Sequence, residues 1–160
     1  MIGFVMVGTN DLDKAINYYD ALLESIDLKR AVTNEKYAGY SSKERPEDIE
    51  FYVTNPVDKK KATYGNGTQI SFAVKSKERP EDIEFYVTNP ANKEKATYGN
   101  GAQISFVVNS KEMVDKFYNL GIKLGGKDEG GPGIRPSSEY YCYLRDLDGN
   151  KICAFVKINN

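Results

Sequence analysis

Residues 3–8, GFVMVG, form an unbroken apolar run closed by Thr9-Asn10-Asp11, the pattern of a buried strand. From residue 11 to residue 26 the period changes. Leu12, Ile16, Tyr19, Leu23 and Ile26 recur at helical spacing, and Asn10 or Asp11 is placed to cap the first free N–H groups. Residues 28–32 and 36–41 are weaker strand candidates. In DIEFYV, Ile49, Phe51 and Val53 share one face, while Asp48, Glu50 and Tyr52 share the other. Pro56 ends that strand, and a polar stretch with a Gly-Asn-Gly turn follows. The same pattern then returns, with Pro90 as the stop, and leads into QISFVV, where Ile104, Phe106 and Val108 alternate with Gln103, Ser105 and Val107.

A second helix is expected from Asn109 or Ser110, with Asn109 and Glu112 at capping-box spacing. Met113, Phe117 and Leu120 make its buried stripe, and Gly121 suits the residue just past its end. Residues 125–133, GGKDEGGPG, read as a flexible loop that could close over a site as a lid. Their glycine spacing lacks the strand–turn–helix context of a phosphate loop. Residues 139–145 and 151–157 read as strands joined by Asp146-Leu147-Asp148-Gly149-Asn150, a tight-turn sequence.

The return of the pattern is an internal repeat. Residues 42–75 and 76–109 match at 28 of 34 positions. Ser-Lys-Glu opens each copy and recurs at Ser110, so slippage between short matches would duplicate the segment and imply an ancestor of 160 − 34 = 126 residues. Two copies are too few for a solenoid. With one copy removed, the chain is two similar halves, each with a helix after its first strand. That arrangement suits an α+β fold with helices backing an antiparallel-rich sheet.

Composition narrows the chemistry. At 160 residues, 40% apolar and 28% charged, the chain fits one globular domain. A net charge of −1 supplies no field for nucleic acid or an anionic membrane. No apolar run approaches the roughly 20 residues of a membrane span. The start of the chain lacks signal-peptide features, so the cytoplasm is the expected location. Cys142 and Cys153 are expected as buried free thiols rather than a disulfide. Histidine is absent, which removes the commonest general base and transition-metal ligand.

Three motifs in order carry a resemblance: VGTNDLDKAINYYDALL, NGAQISFVVNSKEMVDKFYNLG, and GGPGIRPSSEYYCYLRDLDGNKICAF. They resemble the glyoxalase/bleomycin resistance/dioxygenase (vicinal oxygen chelate) superfamily across the whole chain except one repeat copy. Leu147 stands where that family's turn usually has proline. The resemblance implies paired βαβββ modules in one domain, module one about residues 1–56 and module two about 98–160. They would form a curved mixed sheet around a cavity, with an extra duplicated strand pair, usually in a homodimer.

The resemblance also implies metal positions. They fall on Phe4, on Glu50 or Glu84, on Gln103 (or Gln69), and on Cys153. One phenyl ring, one carboxylate, one amide and one thiol make a poor shell for Ni, Zn, Fe or Mn, so no metal cofactor is expected.

Strand alternation places Phe4, Met6, Glu50 or Glu84, Tyr52 or Tyr86, Gln103, Ser105, Tyr141, Tyr143, Cys153 and Phe155 on one face, with Arg135 nearby as a partner for an anion. An aromatic lining with few polar handles suits a small, partly planar organic ligand. Each residue also has a plainer reading: Phe4 and Met6 as core, the glutamate paired with Lys or Arg, Cys153 as inert packing, Arg135 as solvated surface. The expected function is therefore metal-independent binding of a small aromatic or hydrophobic molecule. The rivals are a glyoxalase-type enzyme using Glu84, Glu50 or a tyrosine as acid–base, and a scaffold whose duplicated strands drive assembly. Copy two is expected to supply the first strand of module two. Which copy fills module one stays open, and the surplus strands could extend a sheet edge or pair in a strand-swapped dimer.

Overall fold

The computed structural model describes residues 2–56, 58–63, 65, 67–72, 93–95, 101–135 and 139–158. In chain order these form β1 (Ile2–Gly8), α1 (Leu12–Glu24), β2 (Leu28–Thr33), β3 (Tyr37–Ser42), β4 (Phe51–Thr54), β5 (Gln69–Phe72) and β6 (Ile104–Val107). They are followed by α2 (Lys111–Lys123), β7 (Lys127–Ile134), β8 (Glu139–Arg145) and β9 (Lys151–Lys157). The fold is α+β. Its strands divide into two sheets, ordered β2-β3-β4-β1-β5 and β6-β9-β8-β7.

The two sheets share one plan. In each, the strand before the helix lies parallel to the last strand of its group, β1 beside β4 and β6 beside β9, and the rest pair antiparallel. Copy one of the repeat supplies β4 and copy two supplies β6. The second strand of copy one, β5, is not looped out: it pairs antiparallel with β1, setting Met6 against Gln69 and Phe4 against Ser71. The first strand of copy two, with Glu84 and Tyr86, lies outside the described residues.

One core joins both halves. Ala15, Tyr18, Tyr19, Leu22 and Leu23 of α1 are buried, as are Val114 and Phe117 of α2. They pack with Val7, Phe51, Val53, Leu144, Ile152 and Ala154 from the sheets. Phe106 links the halves, with its ring 5.7 Å from Phe51 and 6.0 Å from Phe117. Burying each of the larger side chains contributes about 1.5–3 kcal/mol.

Three local expectations are corrected. Residues 125–133 are not a loop or lid, because residues 127–134 form β7. Glycines hide the strand signal, but β7 is an edge strand and tolerates Pro132. Its register against β8 shifts between Asp128 and Gly133, and Gly130 there has φ +150. Ser110, not Asn109, caps α2: its side chain accepts from the Met113 N–H at 3.2 Å. Gly121 lies inside α2, where a Cβ would meet Leu144 Cδ1. The residue past the helix end is Gly125 (φ +100), whose N–H donates to Ile122 O while Gly126 N–H donates to Gly121 O.

The turn between β8 and β9 is a buried polar joint. The Asp146 carboxylate accepts from Tyr19 Oη (2.6 Å), Asn150 Nδ2 (2.7 Å), and the backbone N–H groups of Asp148 (3.0 Å) and Asn150 (2.8 Å). Asn150 Nδ2 also donates to Gly8 O at 3.0 Å. Asp148 accepts from Thr9 Oγ1 at 2.6 Å and from the backbone and side chain of Asn10. Burial raises the Asp146 pKa, and the hydrogen bonds from Tyr19 and Asn150 oppose that rise.

Two predictions follow from this packing. Asp146→Ala strands buried donors on Tyr19 and Asn150, so urea unfolding should show a loss of about 3 kcal/mol. Gly67→Ala drives a Cβ into the Gly8 backbone, whereas a Cβ at the matching Gly101 meets nothing among the described residues. The first substitution should lower Tm by several degrees and Gly101→Ala should leave it unchanged, although the local sequence is the same.

Candidate functional site

Alternation in β6, β8 and β9 turns Gln103, Ser105, Tyr141, Tyr143, Cys153 and Phe155 away from the helices. The ladder sets Ser105 against Cys153, Tyr141 against Phe155 and Tyr143 against Cys153. Tyr141 is central: its ring is stacked 4.8 Å from Phe155 at 8° and 5.6 Å from Tyr143 at 5°. Its hydroxyl donates to Glu139 Oε2 at 2.9 Å, and burial together with that carboxylate holds the phenol well above its usual pKa. Tyr141 is therefore a hydrogen-bonding neutral phenol, not a base.

Two cations flank Tyr143. Arg135 lies 5.4 Å from its ring centroid and donates to Gly131 O at 2.8 Å. Lys151 Nζ lies 5.1 Å from the same centroid, with a side chain only 17% exposed. Glu129 pairs with Arg145 (3.0 Å) and Lys151 (3.8 Å), and the Arg145 hydrogen bond lowers the Glu129 pKa. Gly130 and Gly133 of β7 stand opposite Tyr143 and Tyr141, so neither ring has a cross-strand side chain beside it from β7.

Beside the stack, Gln103 Nε2 donates to Ser105 Oγ (3.1 Å) and to Cys153 Sγ (3.5 Å), and the Cys153 thiol donates to Ser105 Oγ at 2.9 Å. Burial pushes the Cys153 thiol up to about 12 and the Cys142 thiol up to about 11. Both cysteines are free and buried. A protonated, covered thiol is a packing group and a hydrogen-bond donor.

The remaining expected residues belong to sheet one. Phe4 makes an edge contact with Tyr52 at 5.1 Å, and Tyr37 makes another at 5.5 Å. Phe4 and Met6 lie alongside Ser71 and Gln69, which repeat the Gln103–Ser105 clasp with Gln69 Nε2 donating to Ser71 Oγ at 3.0 Å. The clasp thus occurs twice, once beside Phe4 and once beside Cys153. Glu50 is exposed and paired with Arg45 at 3.3 Å. Glu84 and Tyr86 lie outside the described residues.

The donors at the positions implied by the resemblance do not fit a transition metal. Phe4 offers no donor, Glu50 is exposed and paired with Arg45, Gln103 is an amide, and Cys153 is the single thiol of the set. Among the described residues, no group of three His, Cys, Asp or Glu side chains could hold an ion. A shallow groove of about 430 Å³ lies elsewhere, lined by Thr9, Asn10, Asn55, Pro56, Lys59, Lys60 and Lys61. It contains none of the expected site residues.

The family model for the Glyoxalase/Bleomycin resistance protein/Dioxygenase superfamily matches residues 1–154. The chain belongs to that superfamily. Among solved structures, a glyoxalase/bleomycin resistance protein from Albidiferax ferrireducens T118 is similar at 31% identity and TM-score 0.67, covering 96% of this chain and 95% of that one. A glyoxalase/bleomycin resistance protein/dioxygenase family enzyme from Burkholderia phytofirmans PsJN shares the fold at 13% identity and TM-score 0.60, covering 98% of each chain. A lactoylglutathione lyase from Agrobacterium tumefaciens shares it at 15% identity and TM-score 0.53, covering 94% of this chain and 89% of that one. At such identities the last two establish fold alone. Among curated proteins, none matches. No helix among the described residues is long and apolar enough to cross a membrane.

Sequence reasoning missed Lys151 and Glu129 at this site. Their signal was the alternation of β7 and β9, which was hidden in β7 by the glycines. The thiols supply a check: native protein at pH 8 should leave Cys142 and Cys153 unmodified by a thiol reagent over minutes, and both should react at once in guanidinium.

Proposed function

We propose that this superfamily member binds a small, flat, aromatic or hydrophobic molecule without a metal, on the face of the second sheet that points away from the helices. The observation that carries this reading is the Tyr143–Tyr141–Phe155 stack, with rings within 5° and 8° of parallel and glycines opposite both tyrosines in β7. Parallel rings offer a platform on which another flat ring stacks, worth about 0.5–1.5 kcal/mol per aromatic pair beyond area burial. Gln103 and Ser105 add orienting polar groups beside Cys153, and Arg135 and Lys151 against Tyr143 favour an electron-rich or anionic ligand. A side chain at Gly130 would press on the Tyr143 ring, since its Cβ would lie 3.2 Å from Cδ2.

The acid–base alternative draws less support. Tyr141 is held neutral, and Glu50 is exposed and ion-paired.

The test is a thermal-shift screen of planar aromatics, with and without a carboxylate, before and after dialysis against a chelator. A true ligand near 100 times its Kd should raise Tm by roughly 5–10 °C. Chelation should leave the shift intact, and Tyr141→Ala should weaken binding at least about tenfold by removing the central ring. A screen in which no flat compound stabilises the protein, or a shift that survives Tyr141→Ala unchanged, would refute the reading.

A further inference from the structure

A guanidinium carries its charge over a planar fork of N–H donors, and in folded proteins a carboxylate ordinarily meets it. The chain follows that rule at Arg30 with Asp20, at Arg45 with Asp48 and Glu50, and at Arg145 with Glu129. Arg135 departs from it. Among the described residues no acidic side chain pairs with it. The carboxylates of β7 and of the start of β8 are engaged elsewhere. Asp128 accepts from the Gly130 N–H at 2.7 Å, Glu129 pairs with Arg145 and Lys151, and Glu139 accepts from the Tyr141 hydroxyl.

Arg135 is nonetheless held in place. Its backbone N–H donates to Glu139 O at 2.9 Å. Nη2 donates to Gly131 O at 2.8 Å, and Cζ lies 5.4 Å from the centroid of the Tyr143 ring. Gly130 and Gly133 adjoin the fork: a Cβ would lie 3.4 Å from Nη2 at the first and 3.6 Å from Nη1 at the second. The bond to Gly131 uses one N–H, and a carboxylate gripped by two oxygens needs two more. Lys151 flanks the same ring, but Glu129 already pairs with it.

We propose that the ligand of this face is an aromatic carboxylate, with its ring on the Tyr143–Tyr141–Phe155 stack and its carboxylate paired with Arg135. This rests on the face taking a flat ring, and it adds the class of ring and the residue that selects it. A carboxylate conjugated to a ring favours the ring plane, so one rigid molecule meets the stack and the neighbouring fork together. A phosphate ester would bring more negative charge, which Glu129 and Glu139 beside the stack oppose. A cationic ligand would meet Arg135 and Lys151 as like charges.

Isothermal titration with benzoate, naphthoate and quinoline carboxylate, each beside its primary amide, tests the assignment. The amide keeps the ring and drops the charge. At least one carboxylate should bind at least about tenfold more tightly than its amide, as a charge-assisted pair exceeds a neutral one. Arg135→Gln should bring that ratio close to one while amide affinity stays within about twofold, a split that loss of structure would not produce. Arg135→Lys should recover only part of the ratio, because an ammonium presents no fork. If the glutamine variant is unfolded by circular dichroism, the lysine variant decides, and an undiminished ratio there overturns the proposal. A ratio that persists in a folded Arg135→Gln overturns it too. Carboxylates and amides that bind wild type alike, with both lost in Tyr141→Ala, overturn it and leave the aromatic platform standing. Binding of neither series overturns both.

Discussion

The buried Asp146 carboxylate is the constraint around which the two halves are built. A four-stranded sheet with one helix leaves an apolar face that cannot be covered from within, so each half must be held against the other. Asp146 does this from the β8–β9 turn by accepting the Tyr19 hydroxyl of the opposite half. Asn150 donates to Gly8 and Asp148 accepts from Thr9 and Asn10, so one five-residue turn grips both the strand end and the helix start of module one. A buried carboxylate is costly unless its lone pairs are met. That cost fixes Tyr19 as a tyrosine, Asn150 as an amide, and Gly149, at φ +90, as a glycine. With the joint closed, Phe51 and Phe106 meet across the halves.

The repeat separates what local sequence decides from what neighbours decide. QISF is a strand in both places, because alternation is a property of the segment. Which of its edges is used depends on the strand beside it: β1 takes one edge of copy one, and β9 takes the other edge of copy two. Gly67 and its counterpart Gly101 differ in the same way, since a Cβ at Gly67 would meet Gly8 and one at Gly101 would meet nothing among the described residues. The doubled strand also explains the split of the expected site. Phe4 and Met6 gain Gln69 and Ser71 as neighbours, and Cys153 gains Gln103 and Ser105.

The legible parts of the sequence were those with a strong period. Residues 139–145 and 151–157 read as the strands they are, and Tyr19 and Leu23 of the apolar stripe marked the buried side of α1, which ends at Glu24, two residues short of the expected Ile26. The family could be read because its motifs lie in those segments. That Ser105, Tyr141, Cys153 and Phe155 share one face was legible from alternation, whereas the register that sets Ser105 against Cys153 and Tyr141 against Phe155 was not. β7 was invisible because glycine carries no side chain to alternate, and edge strands accept proline. The burial of Asp146 and Asn150 was hidden because Asp-Gly-Asn signals a turn, and turns are ordinarily at the surface. The role of Gly121 depends on Leu144, which a linear reading does not bring near it.

What holds the fold and what lines the site occupy different places. The anchors are the helix-facing side of the sheets and the Asp146 joint. Phe4, Glu50, Gln103 and Cys153 lie apart from both: in contact with Tyr52, with Arg45, and with Ser105. None of their interactions reaches the joint, so the residue types there can change without undoing the fold. The aromatic stack of Tyr141, Tyr143 and Phe155 lies on that same side, likewise apart from the joint. Arg135 and Lys151 lie against the Tyr143 ring, and the buried Cys153 thiol packs beneath the Gln103–Ser105 clasp, so neither the charges nor the thiol is tied to what holds the two halves together.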